Sequence, residues 1–412
     1  MPPLYRNRLV RKRQSGGGGG LIAFIKFFLC YHLPQIIALY LICLLPKRFL
    51  FYWYFIAMTR RDYSKAFYKL NPETLSELLG QSFKNIKVGS FHVKDFHAGT
   101  NFSLRLEPKY SQGSGPGSVF VKSSGKPASR LALAALGALY TEAQLAQSKI
   151  TLPFRHPRLY GGLCNKKRLL SLLAEEDISE SGVCHTPLET LSLGEVRSGL
   201  DELAKLHASC WGLKEKENFI EPWRLQKPLG KLSAVNMIRS FNILKNTDNA
   251  PQPGKNLNPL RLSREFQESS LLYGEGAQTL LHGDPHVGNT YTTLEGRLGF
   301  LDLQLIRYGN WSSDIGYFLI SSLLPEVRRQ YLEELLHYYL ERLESLSVDA
   351  PKFQEALHSI RYTPAFGLAS WLHTLAFKIF QEKKYCLEMA ERFFSAYEDF
   401  DTGNLFKKRF MK

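Results

Sequence analysis

Leu281-His282-Gly283-Asp284-Pro285-His286-Val287-Gly288-Asn289, followed by Phe300-Leu301-Asp302 inside an apolar run, is the stretch that decides the fold. It sets an Asn five residues after one Asp, and a second Asp thirteen residues beyond that Asn. Phosphoryl transfer asks for a carboxylate facing the attacking hydroxyl and for oxygen ligands that hold Mg²⁺. A tight loop supplies Asp284 and Asn289 together, and a following strand returns Asp302 to the same ion. Asp, Gly, Pro and Asn are also ordinary turn formers. Turn chemistry demands neither this spacing nor the His two residues before Asp284, so the catalytic reading is carried forward as one that needs its structural context.

Upstream, Ser118–Lys122 reads as a strand with one Lys at its end, and Arg130–Ser148 as a helix carrying Glu142, twenty residues after Lys122. A strand Lys paired to a Glu on the following helix is how kinases hold ATP phosphates. Arg168–Leu173 reads as a strand running into Glu175-Glu176-Asp177, a hinge between two lobes whose backbone holds adenine, or else a surface acidic turn. Asn71-Pro72-Glu73 opens a short helix over Thr74–Leu79 that stops at Gly80. Phe91–Phe96 and Asn101–Glu107 alternate and predict a strand pair around His97-Ala98-Gly99-Thr100. The glycine cluster Ser111–Gly117 lacks the Lys-Ser/Thr ending of a Walker loop and precedes a strand, so it reads as a hairpin loop.

Ser192-Leu193-Gly194-Glu195 is a capping box that starts a helix through Trp211. On it, His207 and Trp211 share one face, where core packing is the expectation. Trp311–Phe318 opens another helix, and Asp314 on it is read as structural, an N-cap or a brace beneath the catalytic loop. Pro325–Lys412 is periodic and helical throughout.

His282-Gly283-Asp284 with Asn289, the Leu301–Gln304 strand, Trp311–Phe318 and the helix LAKLHASCW (203–211) together resemble the aminoglycoside phosphotransferase superfamily, in its ecdysteroid-kinase-like and choline-kinase-like branch. The likeness covers about residues 75–390. It implies an α+β, two-lobed, protein-kinase-like fold with a small β-rich lobe over 70–180 and a larger helical lobe over 181–412. It also implies ATP and Mg²⁺ as cofactors and a hydroxylated small molecule as acceptor. Asp284 is then the catalytic base, Asn289 and Asp302 ligate Mg²⁺, Lys122 contacts phosphates and Glu142 holds it. Gly99 and Glu176 join the nucleotide site, and His282 orients the loop through hydrogen bonds. Leu303 stands where the family often has Trp, and the nucleotide loop keeps only Gly99. The alternative is a membrane-tethered pseudokinase that binds nucleotide or a partner without turnover.

The chain has 412 residues, 44% hydrophobic and 22% charged, which fits a globular protein. Its net charge of +15 is unevenly placed: residues 1–65 hold eleven Lys/Arg against one acid, and 405–412 hold four more. The body is left nearly neutral, so no nucleic-acid partner is expected. Six scattered cysteines argue against a zinc site or a disulfide framework and for a reducing, cytosol-facing environment. Arg6–Arg13 and Gly16–Gly20 form a basic, glycine-rich leader, followed by the 25 mostly apolar residues Leu21–Leu45. That length spans a bilayer, which takes ~20 residues, but His32, Pro34 and Gln35 interrupt it. A single span, an interfacial anchor hinged at Pro34, and a pair of buried helices compete. Aromatic and basic flanks favour membrane association through 21–58, which makes the expected protein a cytoplasmic catalytic domain anchored to a membrane. Trp223, Trp311 and Trp371 hint at an apolar acceptor, although aromatic residues on helices more often build core.

Overall fold

Helix α1 (Pro72–Gly80) forms where the sequence offers a complete start signal: Pro72 opens it and the Asn71 side chain accepts the Thr74 N–H at 2.8 Å. Its Leu75, Leu78 and Leu79 fall on one face and are fully buried against the first sheet. Each contributes roughly 1.5–3 kcal/mol of apolar burial. The computed structural model describes residues 70–410, apart from 99–100, 126–128, 131–132, 135, 149, 167–168, 213–218, 221–226, 255–256 and 379. These residues belong to one unit, Met58–Lys412. The leader, the apolar segment 21–58, Gly99 and Trp223 lie outside the described residues. Among the described residues no helix is long and apolar enough to cross a membrane.

The small lobe is a five-stranded antiparallel sheet in the order β1-β2-β3-β5-β4, from β1 (Lys87–Ala98), β2 (Phe102–Gln112), β3 (Val119–Ser123), β4 (Leu159–Asn165) and β5 (Leu170–Glu176). The β1–β2 pair is the one expected from alternation, with β1 longer at both ends and β2 running on to Gln112. The glycine cluster is the β2–β3 hairpin loop, with Phe102 opposite Ser123 and Leu106 opposite Val119.

The continuous helix expected over Arg130–Ser148 is not what forms. Helical residues at 129–130 and 133–134 end at Gly137, whose φ is 72°. The Ala138 N–H bonds Leu133 O (2.8 Å) and the Gly137 N–H bonds Ala134 O (3.1 Å), the Schellman pattern that closes a helix at a left-handed glycine. Helix α2 (Thr141–Ser148) starts afresh and carries Glu142 in its first turn. Two adjacent glycines seat the helices on the sheet. A Cβ on Gly161 would stand 2.1 Å from Leu78 O of α1, and one on Gly162 would stand 2.2 Å from Ala143 O of α2. Successive strand residues face opposite sides, so this pair lets one helix press on each face of β4.

After β5 come a 3₁₀ turn (Ile178–Glu180), β6 (Gly182–Cys184) and the helical lobe. This lobe contains α3 (Leu193–Ser209), α4 (Lys227–Lys245), α5 (Pro259–Leu272), α6 (Ser312–Ser322), α7 (Pro325–Ser345), α8 (Phe353–Ile360), α9 (Thr363–Phe377), α10 (Lys383–Asp399) and α11 (Thr402–Phe410). The predicted capping box is present: Ser192 and Glu195 exchange side chain-to-backbone bonds at the start of α3. Between α5 and α6 run β7 (Gln278–Leu281), β8 (Thr290–Thr293), β9 (Leu298–Phe300) and β10 (Arg307–Asn310). Small β lobe, linking turn and helical lobe make the two-lobed protein-kinase-like fold expected from the sequence.

Candidate active site

Burial on β3 alternates, with Val119 and Val121 in the small-lobe core and Lys122 on the other face. Lys122 lies opposite Leu173, and Phe120 opposite Glu175, so Lys122 and Glu175 are diagonal neighbours on one face. Lys122 Nζ stands 2.9 Å from Glu142 Oε1 and 3.0 Å from Glu175 Oε1. Glu142 Oε1 also accepts the N–H of Leu303, the residue after Asp302, at 3.0 Å. Helix α2 is thereby tied both to the strand lysine and to the turn after the second Asp: the strand expected over Leu301–Gln304 ends at Phe300, and Leu303–Leu305 form a 3₁₀ turn capped by Asp302. Burial opposes a charge on Lys122, yet Glu142, Glu175 and Asp302 together hold its pKa well above the ordinary value. Burial pushes the Glu142 carboxyl up to about 7, and Asp302 and Glu175 add to the push against the pull of Lys122.

The catalytic loop follows β7, which pairs with β10 so that Leu281 sits opposite Arg307. Gly283 has φ 86°, and a Cβ there would stand 2.1 Å from Leu305 O. Only glycine combines that conformation with that approach. Asp314, at 1% exposure, accepts the His282 N–H at 2.7 Å and the Gly283 N–H at 3.0 Å. Its Oδ2 also lies 3.2 Å from His207 Nε2, and His207 Nδ1 lies 2.7 Å from the Tyr339 hydroxyl. The cap of α6 is Trp311, so Asp314 is no N-cap; it braces the loop from the first turn. His282 Nε2 lies 2.9 Å from Leu301 O, while the Asp284 N–H donates to His282 Nδ1 at 3.3 Å. This pair of partners fixes the tautomer with the proton on Nε2. Burial lowers the pKa of His282, so it orients two strands as a neutral ring.

The spacing from Asn289 to Asp302 is a β-hairpin. Thr290 lies opposite Phe300, and the Leu301 N–H donates to Asn289 O at 2.7 Å. Asn289 Nδ2 donates to Asp284 O at 2.9 Å, a bond that does not use its Oδ1. Asp302 is left-handed, with φ 60° and ψ 73°. A non-glycine residue held there stores strain of the kind found at functional sites.

Asp284 keeps its side chain 30% exposed to the cleft. Burial of its surroundings, then the nearby Asp302, push its carboxyl up to about 7. Tyr317 lies against it, its hydroxyl held well above the ordinary range by burial and by the Asp284 charge. His286 Nε2 stands 3.8 Å away, but burial drives that ring down to about 4, so it is neutral. The Asp284 and Asp302 carboxylates, together with the Asn289 amide oxygen, are hard donors suited to Mg²⁺. No group of three His, Cys, Asp or Glu side chains among the described residues could hold a metal alone. One or two carboxylates completed by substrate phosphates is the usual protein share of a Mg²⁺ shell, and this donor set fits that share.

Of the residues singled out in the sequence, Lys122, Glu142, Asp302, Asp284, Asn289, His282 and Asp314 are joined by these contacts. Gly99 is not described, and the Glu176 carboxylate instead accepts the Arg158 N–H at 3.0 Å. Glu175, next to it, is the acid that meets Lys122. Seeing that contact needed the β3–β5 register, which the sequence does not display. His207 is core, as expected, but it also supports Asp314. Trp311 and Trp371 are both core, Trp311 stacked on Tyr339 at 5.5 Å and Trp371 packed against His286 at 5.0 Å.

A model of the ecdysteroid kinase-like family matches residues 144–349, half of the chain. No curated protein matches. Among solved structures, a choline kinase from Streptococcus pneumoniae is similar at 12% identity and TM-score 0.45, covering 79% of this chain and 98% of that one. A choline kinase from Cryptosporidium parvum is similar at 15% identity and TM-score 0.45, covering 77% and 91%. The GDP complex of an aminoglycoside 2′-phosphotransferase gives 11% identity and TM-score 0.45, covering 80% and 99%.

Proposed function

The chain belongs to the ecdysteroid kinase-like family, and on that premise we propose that it transfers the γ-phosphoryl group of ATP to a hydroxyl of a small, lipophilic molecule, with Mg²⁺. The observation that carries this reading is the network from Lys122 through Glu142 to Leu303, which ties the small-lobe cation to the residue after Asp302, while Asn289 bonds the Asp284 backbone. Bound Mg–ATP supplies the phosphoryl group and neutralises the charge that develops on its oxygens. Lys122 holds phosphate oxygens, and Glu142 and Glu175 keep its ammonium charged and aimed. Asn289 Oδ1 and the Asp302 carboxylate are the protein's ligands for the ion. Asp284 accepts the proton of the acceptor hydroxyl, and a carboxyl near pKa 7 suits that role at neutral pH. Asp314 and His282 keep the Asp284 backbone in place without touching the reactants. The hinge backbone around Glu176 is our site for adenine.

The lipophilic character of the acceptor rests on the aromatic content of the sequence, with Tyr317 against Asp284 and Trp371 against His286 at the edge of the helical core. Membrane association through 21–58 rests on the sequence alone. The test is ATP-dependent phosphorylation of a hydroxylated small-molecule panel by the unaltered chain and by Asp284→Asn. Transfer that survives undiminished in Asp284→Asn overturns the assignment of the base. Nucleotide-dependent thermal stabilisation of the unaltered chain without any turnover would instead fit the tethered pseudokinase.

A further inference from the structure

Helices α5 and α11 enclose an open recess of about 380 Å³ that no step of the proposed reaction uses. Leu260, Arg261, Arg264, Lys407 and Phe410 line it, and Glu265 is the one acid on its wall. That acid is spent: Arg261 Nε donates to it at 2.8 Å and the Tyr397 hydroxyl at 2.6 Å, and it is 1% exposed. Arg264, Lys407 and the neighbouring Lys408 form no ion pair with any described residue. Arg264 lies over the Phe410 ring at 5.6 Å. Arg409 approaches Glu268 and Glu275 only at 3.9 and 3.6 Å. The face is thus cationic, and it is apolar too, with Leu260 62% and Phe410 39% exposed.

The recess is built rather than incidental. Phe406 is fully buried and anchors α11 in the helical core. Gly403 lets the Arg261 guanidinium come so close that a Cβ would meet it at 2.3 Å. Two exposed large apolar side chains interleaved with uncompensated cations are the pattern of a surface that lies on anionic lipid. The rings and aliphatic groups enter the headgroup boundary while the cations stay at the phosphates.

We propose that the α5–α11 face docks on an anionic membrane, with the recess taking a phosphate-bearing lipid headgroup between Arg264 and Lys407. Each Lys or Arg at such a surface strengthens binding by roughly fivefold. A soluble phosphate ligand would leave Leu260 and Phe410 without a role, and an acidic peptide would not need both side chains exposed beside a recess of this size.

The test is hydrogen exchange of the full chain, read locally in peptides covering 258–272 and 402–412. Readings are taken with phosphatidylcholine vesicles, with vesicles containing phosphatidic acid, with inorganic phosphate alone and with polyglutamate. The proposal expects slowed exchange in both peptides with the acidic vesicles only. Arg264→Glu/Lys407→Glu should abolish that slowing, and Phe410→Ser should reduce it, with all three exposed changes leaving Tm near that of the parent. Because the readout is local, membrane binding elsewhere in the chain does not mimic it. Unchanged exchange on acidic vesicles overturns the proposal. So does equal slowing by phosphatidylcholine, by inorganic phosphate or by polyglutamate, or slowing that persists in the charge-reversed variant.

Discussion

Asp314 is the residue whose replacement should separate loop geometry from reactant contact. It accepts the backbone N–H groups of His282 (2.7 Å) and Gly283 (3.0 Å) and meets His207 at 3.2 Å, all at 1% exposure. In Asp314→Asn one oxygen remains, while the amide turns an N–H toward a second donor. That leaves one buried N–H unpartnered, at about 1–3 kcal/mol. Asp314→Ala removes both acceptors and strips His207 of a partner, so roughly 3–6 kcal/mol is lost. With an unfolding entropy of about 2.1 cal/mol/K per residue, each kcal/mol moves the Tm of a unit of this size by about 1–2 °C, and Asp314→Ala should therefore melt about 3–12 °C early. The same loosening displaces the Asp284 backbone. A misplacement of about 1 Å costs on the order of a hundredfold in rate. Thermal melting, turnover at saturating ATP and nucleotide affinity should be measured side by side. We expect Tm and kcat to fall in the order parent, Asn, Ala, with nucleotide affinity little changed, because Lys122 and Glu142 do not touch Asp314. A parent-like Tm and kcat in Asp314→Ala would falsify the bracing role.

Gly283→Ala should abolish turnover and lower stability, because φ 86° and the Leu305 carbonyl leave no space for a Cβ. Gly80→Ala has nothing within 4 Å of the new Cβ and should be neutral or stabilising by up to about 1 kcal/mol in a melt. Lys122→Met strands Glu142 and Glu175 without their cation and should cost about 3–5 kcal/mol. It should also weaken Mg–ATP binding at least tenfold, with Glu175→Gln milder on both in a nucleotide titration. The pH dependence carries two opposite signs. As a base Asp284 must be ionised, so kcat/KM should rise with pH through about 7 and then level. The folded carboxyl sits above its ordinary 3.8. The folded state thus holds that proton more tightly, and ligand-free stability should decline between about pH 4 and 7. Melting curves across that range check the second sign.

The sequence disclosed most where local chemistry and long-range geometry coincide. Asp284, Asn289 and Asp302 could be read together because one hairpin, β8–β9, carries the chain from the second to the third within twenty residues. The α1 start, the α3 capping box and the β2–β3 loop were equally legible, since each rests on side chain-to-backbone bonds or glycine conformations within a few residues. The break at Gly137 was missed because apolar periodicity runs through it and only the left-handed φ ends the helix. Glu175 was not read as a partner of Lys122, because the sequence does not display the strand pairing that sets the two on one face. His207 carried no signal beyond its apolar face. Its tie to Asp314 spans 107 positions and exists only once α3 packs beside α6.

The central claim is that the two lobes together form a site for phosphoryl transfer to a hydroxyl, with Asp284 as base. Its most direct test is mass spectrometry of a hydroxylated small-molecule panel incubated with the full chain and Mg–ATP, run in parallel with Asp284→Asn. We predict an acceptor that gains one phosphoryl group at its hydroxyl, with the gain falling at least a hundredfold in the variant while Mg–ATP still raises its Tm. A phosphorylated acceptor formed equally well by Asp284→Asn would contradict the account.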